Sequence, residues 1–197
     1  YVDLDITPPS ESAGEDRIFR RDCLEVDVEK GGKSLTLFVC HFKSMNGGRS
    51  KTHSIRYAEA QAVRKLIEAR FPDPSSADWA ALGDFNDFFE LDGIPVNDHA
   101  LEPLLGDGFA IDVLKAYQPD PRERWTHHYA GDDIYAALDH IFLSPALAAK
   151  NTEAHPRIVR AGQPLRAERA GERRFPGVGW RIPKASDHCP LSVSLNL

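Results

Sequence analysis

Ser186-Asp187-His188-Cys189-Pro190-Leu191 stands near the end of a 197-residue chain, and apolar side chains then alternate at Leu191, Val193, Leu195 and Leu197. Period-two alternation predicts a strand over Cys189 to Leu197, so Asp187 and His188 are presented where a strand begins. A serine hydrolase does not follow from this triplet. Three adjacent residues cannot ordinarily form a nucleophile–base–orienter chain, and the sequence has no Gly-x-Ser-x-Gly elbow. The triplet places a carboxylate beside an imidazole just before a strand.

Working outward, three more strand ends carry similar chemistry. Trp79 to Leu82 is a short apolar strand that runs into Gly83-Asp84-Phe85-Asn86-Asp87, placing carboxylate and amide oxygens where a buried strand emerges and can hold a hard cation or a water nucleophile. A calcium loop is excluded, because its turn glycine would fall on Phe89 and its terminal glutamate on Pro95. A plain turn bonding Asp84 and Asn86 to nearby backbone is the bland alternative. His41 ends the apolar run Leu35 to Cys40, and Lys43 and Ser44 just beyond it add a cation and a hydroxyl able to hold phosphate oxygens. A lone histidine at such a place is more often structural, so His41 gains meaning only from these neighbours. Asp139 lies within the strand Ala137 to Leu143, a costly place for a carboxylate without a partner. His188 is the expected partner: bonded to Asp139, its imidazole would be held in orientation and favoured in the protonated form. A zinc peptidase finds no support, since His-Glu-x-x-His is missing and His127-His128 are adjacent without an obvious third ligand.

The rest of the chain is organised around strands. Leu24, Val26 and Val28 alternate, Gly31-Gly32 marks a turn, and Leu35 to Cys40 follows, which predicts a hairpin whose second strand is buried on both faces. Ile55, Ala58, Ala62, Leu66 and Ile67 recur at helical spacing until Pro72, predicting one amphipathic helix over Ser54 to Arg70. Val2 to Ile6 is a candidate lone strand in an opening rich in prolines, serines and charges. Arg157 to Lys184 holds eight Arg and Lys residues against Glu168 and Glu172, a basic, loop-rich insertion that is either a polyanion contact or a solvated loop. Trp125, Tyr129 and Trp180 are base, lipid or core contacts by the same sequence reading.

Bulk composition narrows the classes. A hydrophobic share of 42% and a charged share of 27% are those of an ordinary globular chain, and the absence of repeats or linkers suggests one domain over residues 1–197. No apolar run approaches the ~18 residues of a membrane-spanning helix. A formal charge of -6 argues against a surface that is a nucleic-acid clamp throughout while permitting a local basic patch. Cys23, Cys40 and Cys189 are too far apart in sequence for a zinc cluster or an evident disulfide framework, and are read as small buried residues.

Taken in order, Cys40-His41-Phe42-Lys43-Ser44, Gly83-Asp84-Phe85-Asn86-Asp87, Leu138-Asp139-His140-Ile141-Phe142 and Ser186-Asp187-His188-Cys189-Pro190-Leu191 resemble the endonuclease/exonuclease/phosphatase superfamily, the deoxyribonuclease I-like hydrolases. The resemblance covers most of Asp22 to Leu197 and implies a two-sheet α/β sandwich. It implies metal-dependent phosphoester hydrolysis with Mg²⁺ or Mn²⁺. By the resemblance Asp84 orients or activates the attacking water, Asn86 holds a phosphate oxygen, Asp187 helps bind the metal, His188 stabilises the developing phosphorane, and Asp139 orients His188. His41 matches a second active-site histidine on the phosphate or leaving-group side, and Lys43 and Arg56 are candidates for substrate binding.

One departure qualifies the match. The family places an Asn near its first strand and a metal-binding Glu after its second, and Tyr1 to Arg21 shows neither; Glu11 and Glu15 sit among Ser, Gly and Asp instead of following an apolar strand. The expectation is therefore a chain corresponding to the C-terminal portion of the domain, without its N-terminal strands. The leading functional reading is a nuclease or phosphodiesterase acting on DNA, RNA or another phosphoester. The alternatives are a phosphatase of a small phosphorylated molecule and a noncatalytic phosphate- or nucleic-acid-binding module built on the basic insertion.

Overall fold

A hairpin begins the ordered sheet. Residues 4–10 and 17–197 are described in a computed structural model of the chain. Strand β1 (Leu24–Lys30) pairs antiparallel with β2 (Lys33–His41). Between them Gly31 and Gly32 both take positive φ, 61° and 78°, which the tight turn requires and side-chain-bearing residues resist. The predicted helix is present as α1 (His53–Arg70) and stops where Phe71 turns extended ahead of Pro72. It carries the chain from β2 to the parallel strand β3 (Trp79–Asp84), the crossover that parallel neighbours need.

Strands β4 (Glu90–Leu91) and β5 (Ile94–Pro95) form a small ladder, followed by α2 (Glu102–Leu105), β6 (Ile111–Asp112) and α3 (Val113–Tyr117). β7 (His127–Tyr129) pairs with β8 (Ile134–Ala136), and β9 (Asp139–Leu143) then returns antiparallel to β3. The described sheet has the order β1-β2-β3-β9-β6. α4 (Pro145–Lys150), β10 (Arg157–Ile158) and β11 (Leu191–Ser192) complete the elements, with β10 and β11 forming a two-stranded ladder.

The two faces of the sheet are covered unequally. On one, Val63, Leu66 and Ile67 of α1 pack with Phe38, Cys40, Phe42, Trp79, Ala81, Phe85 and Phe142, and each fully buried large side chain of this kind contributes roughly 1.5–3 kcal/mol. On the other, Ala80, Ile141, Leu143, Val113 and Leu147 are met by the partly buried Leu191, Val193, Leu195 and Leu197.

Three expectations change. The β2 strand is buried on one face only: Thr36, Phe38 and Cys40 are buried, Phe38 and Cys40 in the cluster with α1, whereas Leu35 and Leu37 are half-covered and Val39 is exposed. The predicted strand Cys189 to Leu197 is reduced to Leu191–Ser192. Its alternation persists as one-sided burial through Leu197, but a strand needs a hydrogen-bonding neighbour and β10 supplies two residues of it. Leu4 to Ile6 forms no strand, and Val2 and Asp3 lie outside the described residues.

Candidate active site

The ends of β2 and β3 lie side by side, with His41 opposite Asp84 in the parallel register, and β9 begins there with Asp139 opposite Asp84. Ligand sites in sheets with parallel strands form outside the carboxyl ends of those strands. Gly83 makes this convergence possible. Its φ is 138°, and a Cβ at this position would overlap the carbonyl oxygen of Cys40 on the neighbouring strand, so β2 and β3 approach more closely than any side chain would allow.

His188 arrives from the far end of the chain and is pinned by backbone. Cys189 N–H donates to the Thr126 carbonyl at 2.6 Å, His128 N–H to the Asp187 carbonyl at 3.3 Å, and His127 bridges His188 across the ladder. The Thr126 hydroxyl oxygen accepts from the N–H groups of Leu138 and Asp139 at 3.1 and 3.0 Å. One buried threonine thus ties the β9 end and the 186–190 loop to the same point.

The expected contact between Asp139 and His188 is present. His188 Nδ1 is bonded to Asp139 Oδ2 at 2.9 Å, and its other nitrogen, Nε2, faces Asp84 Oδ2 at 3.9 Å. His41 Nε2 approaches the same Asp84 oxygen at 3.4 Å from the solvent side, with its side chain 49% exposed against 19% for Asp84. The bond to Asp139 holds His188 above the ordinary imidazole pKa against the opposing effect of burial. Burial, and after it the charge of Asp139, raises the Asp84 carboxyl above its usual range. The group therefore combines an imidazole whose protonated form is favoured with a partly desolvated carboxyl. Together with Ser186, Cys189, Pro190 and the strand residues Leu82 and Ile141 it lines a cleft of about 320 Å³.

The remaining expected residues are placed as follows. Asn86, at φ 51°, caps the turn: its backbone N–H donates to Asp84 Oδ1 at 2.9 Å and its side-chain amide donates to the Phe42 carbonyl at 3.1 Å. Asp187 is half-exposed, 3.5 Å from Lys184. Burial pushes its carboxyl up, but its own backbone N–H and the charge of Lys184 outweigh this and leave it lowered. Lys43 turns its ammonium onto the Ser44 carbonyl at 3.0 Å. Arg56 differs most from expectation. It has no exposed surface and donates to Thr52 Oγ1, the Arg49 carbonyl and Asp87 Oδ2 at 2.6, 2.9 and 3.4 Å. Its guanidinium anchors the turn after β3 and presents no face to a substrate.

Asp84, Asp139 and His188 offer three ligand atoms within 4.8 Å of one another, a group able to hold a metal ion. Because Asp139 is committed to His188 Nδ1, Asp84 is the carboxylate of the three best able to meet a cation. Two neighbours escape sequence reading. The His127 ring lies 4.7 Å from that of His188, and burial, then the electrostatic effect of His188, push its pKa down to about 4; it forms an uncharged wall beside His188. Glu59 of α1 is buried beneath the strand end, accepting from the backbone N–H groups of Lys43 and Arg20 at 2.7 and 3.1 Å.

The mixed sheet of this α/β protein gathers His41, Asp84 and Asp139 at adjoining strand ends, with His188 beside them. A sequence profile of the Endonuclease/Exonuclease/phosphatase family matches residues 5–188, and the chain belongs to that family. No curated protein matches it significantly. Among solved structures, a beta toxin from Staphylococcus aureus is 18% identical with a TM-score of 0.57, covering 87% of this chain and 56% of its own. An AP endonuclease from Archaeoglobus fulgidus is 17% identical with a TM-score of 0.54, covering 98% and 70% respectively. A truncated TDP2 from Caenorhabditis elegans is 18% identical with a TM-score of 0.53, covering 86% and 57%. The likeness is one of fold, the deoxyribonuclease I-like α/β fold, and the chain spans little more than half the length of the beta toxin and TDP2 structures.

Proposed function

We propose that Asp84, His188 and Asp139 hydrolyse a phosphoester in a divalent-metal-dependent reaction, with a nucleic-acid phosphodiester as the preferred substrate. The observation that carries this reading is the Asp84 carboxylate facing His188, which is itself backed by Asp139 at 2.9 Å. In-line attack on phosphorus needs a base or orienter for water and a cation for the charge that develops on the phosphoryl oxygens. Asp84, desolvated and raised, orients the water and draws its proton. The His188 imidazolium, held by Asp139, hydrogen-bonds the developing oxyanion. His41 serves the leaving-group side, and the amide hydrogen of Asn86 not used on Phe42 holds a phosphate oxygen.

Asp84, whose carboxylate belongs to the group able to hold a metal ion, would hold the Mg²⁺ or Mn²⁺ ion, hard cations that prefer oxygen ligands, with Asp187, paired with Lys184 in the free chain, as the further oxygen donor that the family resemblance suggests. Such an ion supplies further neutralisation of phosphate charge. Support for a polynucleotide comes from the 157–184 segment. Arg160 and Arg169 are used on Glu123 and Asp92 at 2.5 and 2.7 Å, but Arg157, Arg166, Arg173 and Arg181 make no ion pair among the described residues, and Trp180 of the same segment is 62% exposed. One of the structurally similar proteins is an AP endonuclease, which agrees with this preference. The test is cleavage of end-labelled single-stranded and duplex DNA and RNA, and of a small phosphodiester and phosphomonoester, with Mg²⁺ or Mn²⁺ and with chelator. Metal-dependent cutting of the polynucleotides is the expected result. Release of phosphate from monoesters alone would reassign the chain to the phosphatases. Salt-sensitive binding without turnover, unaffected by chelator or by loss of Asp187, would make it a binding module.

A further inference from the structure

Cys23 and Cys40 face each other at the open end of the β1–β2 hairpin. Their sulfurs are 3.6 Å apart, and both residues are almost wholly buried. The chain is tied on either side of the pair, by the ladder on one side and by an arginine side chain on the other. Leu24 opposes Val39 in the antiparallel register, and beyond the pair Arg21 Nη1 donates to the Phe42 carbonyl at 2.9 Å. Residue 23 is therefore laid directly across from residue 40. Directly opposed residues of antiparallel strands have Cα atoms roughly 4.5–5.5 Å apart, within the span that a disulfide bridges without backbone movement. Two small side chains filling the core would need no such opposition.

We propose that Cys23 and Cys40 are an oxidative modification site, forming one intramolecular disulfide when the chain meets a low-molecular-weight disulfide oxidant. The thiolate of one cysteine attacks an oxidant sulfur and releases one small thiol; the thiolate of the other attacks the resulting mixed disulfide and releases the second. Two protein S–H bonds and the oxidant S–S bond break, one protein S–S bond forms, and the two electrons and two protons end on the released thiols. The partner choice is fixed by the fold, because Cys189 lies in a separate cluster with Trp125, Tyr135 and Ala167.

Closed, the hairpin shields this pair. The hydrogen bond with Cys23, together with burial, holds the Cys40 thiol well above its ordinary pKa, so little thiolate is present to exchange. Opening is local, however. β1 is the outermost strand of the described sheet and is solvent-exposed along almost its whole length, which places it among the segments that lift without global unfolding. Exchange takes place in that open state or before the hairpin closes during folding. The product ties an edge strand covalently to the strand that ends in His41.

The test uses the unmodified sequence, refolded in oxidised and reduced glutathione, then unfolded, alkylated and analysed by mass. The expected product carries a single alkyl group, on Cys189, and yields a linked peptide joining Cys23 to Cys40. Its melting temperature lies roughly 6–12 °C above that of the reduced chain, as closure of a loop of this size implies, and reductant removes the difference. Alkylation of all three cysteines, or a linkage that uses Cys189 or a second chain, would overturn the proposal. Neither readout depends on hydrolysis, so the proposed reaction and the disulfide stand or fall separately.

Discussion

Asp84 and Glu59 are both carboxylates pushed upward by burial, yet they are put to different uses. Asp84 opens into the cleft, where His188 and Asp139 surround it. Loss of the Asp139 charge should leave His188 poorly oriented. Asp139→Asn is expected to lower kcat by roughly 10–100-fold, as loss of an orienting partner generally does, and steady-state kinetics on a phosphodiester would detect it; an unchanged kcat would remove Asp139 from the machinery. Glu59 is closed off from solvent and its pKa rises from 4.5 to about 7, burial outweighing two backbone hydrogen bonds and the nearby Arg21 and Arg56 charges. The folded state thus binds this proton more tightly than the unfolded state. Its contribution to stability is complete below pH 4.5, falls as pH rises through the interval to about 7, and amounts to about 3 kcal/mol. Glu59→Gln should flatten that part of the pH–stability curve, measured by urea unfolding between pH 4.5 and 8. Equal slopes in the two proteins would contradict the assignment.

At the scale of elements, the site depends on how closely β2 and β3 run. Gly83→Ala forces a Cβ onto the Cys40 carbonyl at a φ of 138° and should destabilise the protein by about 2–3 kcal/mol or more, seen as a lower urea midpoint with an unchanged slope; a midpoint like that of the parent would mean that the strands can separate without cost. Much of this layer was legible in the sequence. The hairpin, α1 and β3 announce themselves by alternation, by a glycine pair and by a Pro stop, all local signals. The Cys189 to Leu197 strand was misread because alternation reports which side chains are buried and says nothing of whether a neighbouring strand is long enough to pair. The short ladders β4–β5, β7–β8 and β10–β11 contain two or three residues per strand, too few for any period to show. Among site residues, His41, Asp84, Asn86, Asp139 and His188 were visible as polar groups at strand ends. Thr126, His127 and Glu59 were not, since their roles come from contacts with distant parts of the chain. Arg56 misled for the same reason: nothing local reveals that its cation is spent on Asp87 within the fold.

Over the whole molecule the charge is distributed against the net value of -6. Arg166, Arg173 and Arg181, which form no ion pair among the described residues, share a segment with the exposed Trp180 and Ile182, just before Ser186-Asp187-His188. If this segment carries a polynucleotide backbone, changing those three arginines to alanine should weaken oligonucleotide binding and reduce the slope of log K against log salt by roughly 2–3, while turnover of a small phosphodiester stays as it was. An unchanged slope would assign the segment to solvent. The second sheet face carries Leu35, Leu37 and Val39, half-covered or exposed, and in the same alternation His41, with Asp84 and Asp139 beside it on the neighbouring strands, so the strand-end margin of that face carries the proposed chemistry. Its most direct test is turnover of a phosphodiester in Mg²⁺ or Mn²⁺ by the wild-type chain, by Asp84→Ala and by His188→Ala. The wild type should hydrolyse it and lose activity with chelator, and each variant should be slower by on the order of 10²–10⁴. Equal hydrolysis by all three proteins would contradict the assignment of the reaction to this site.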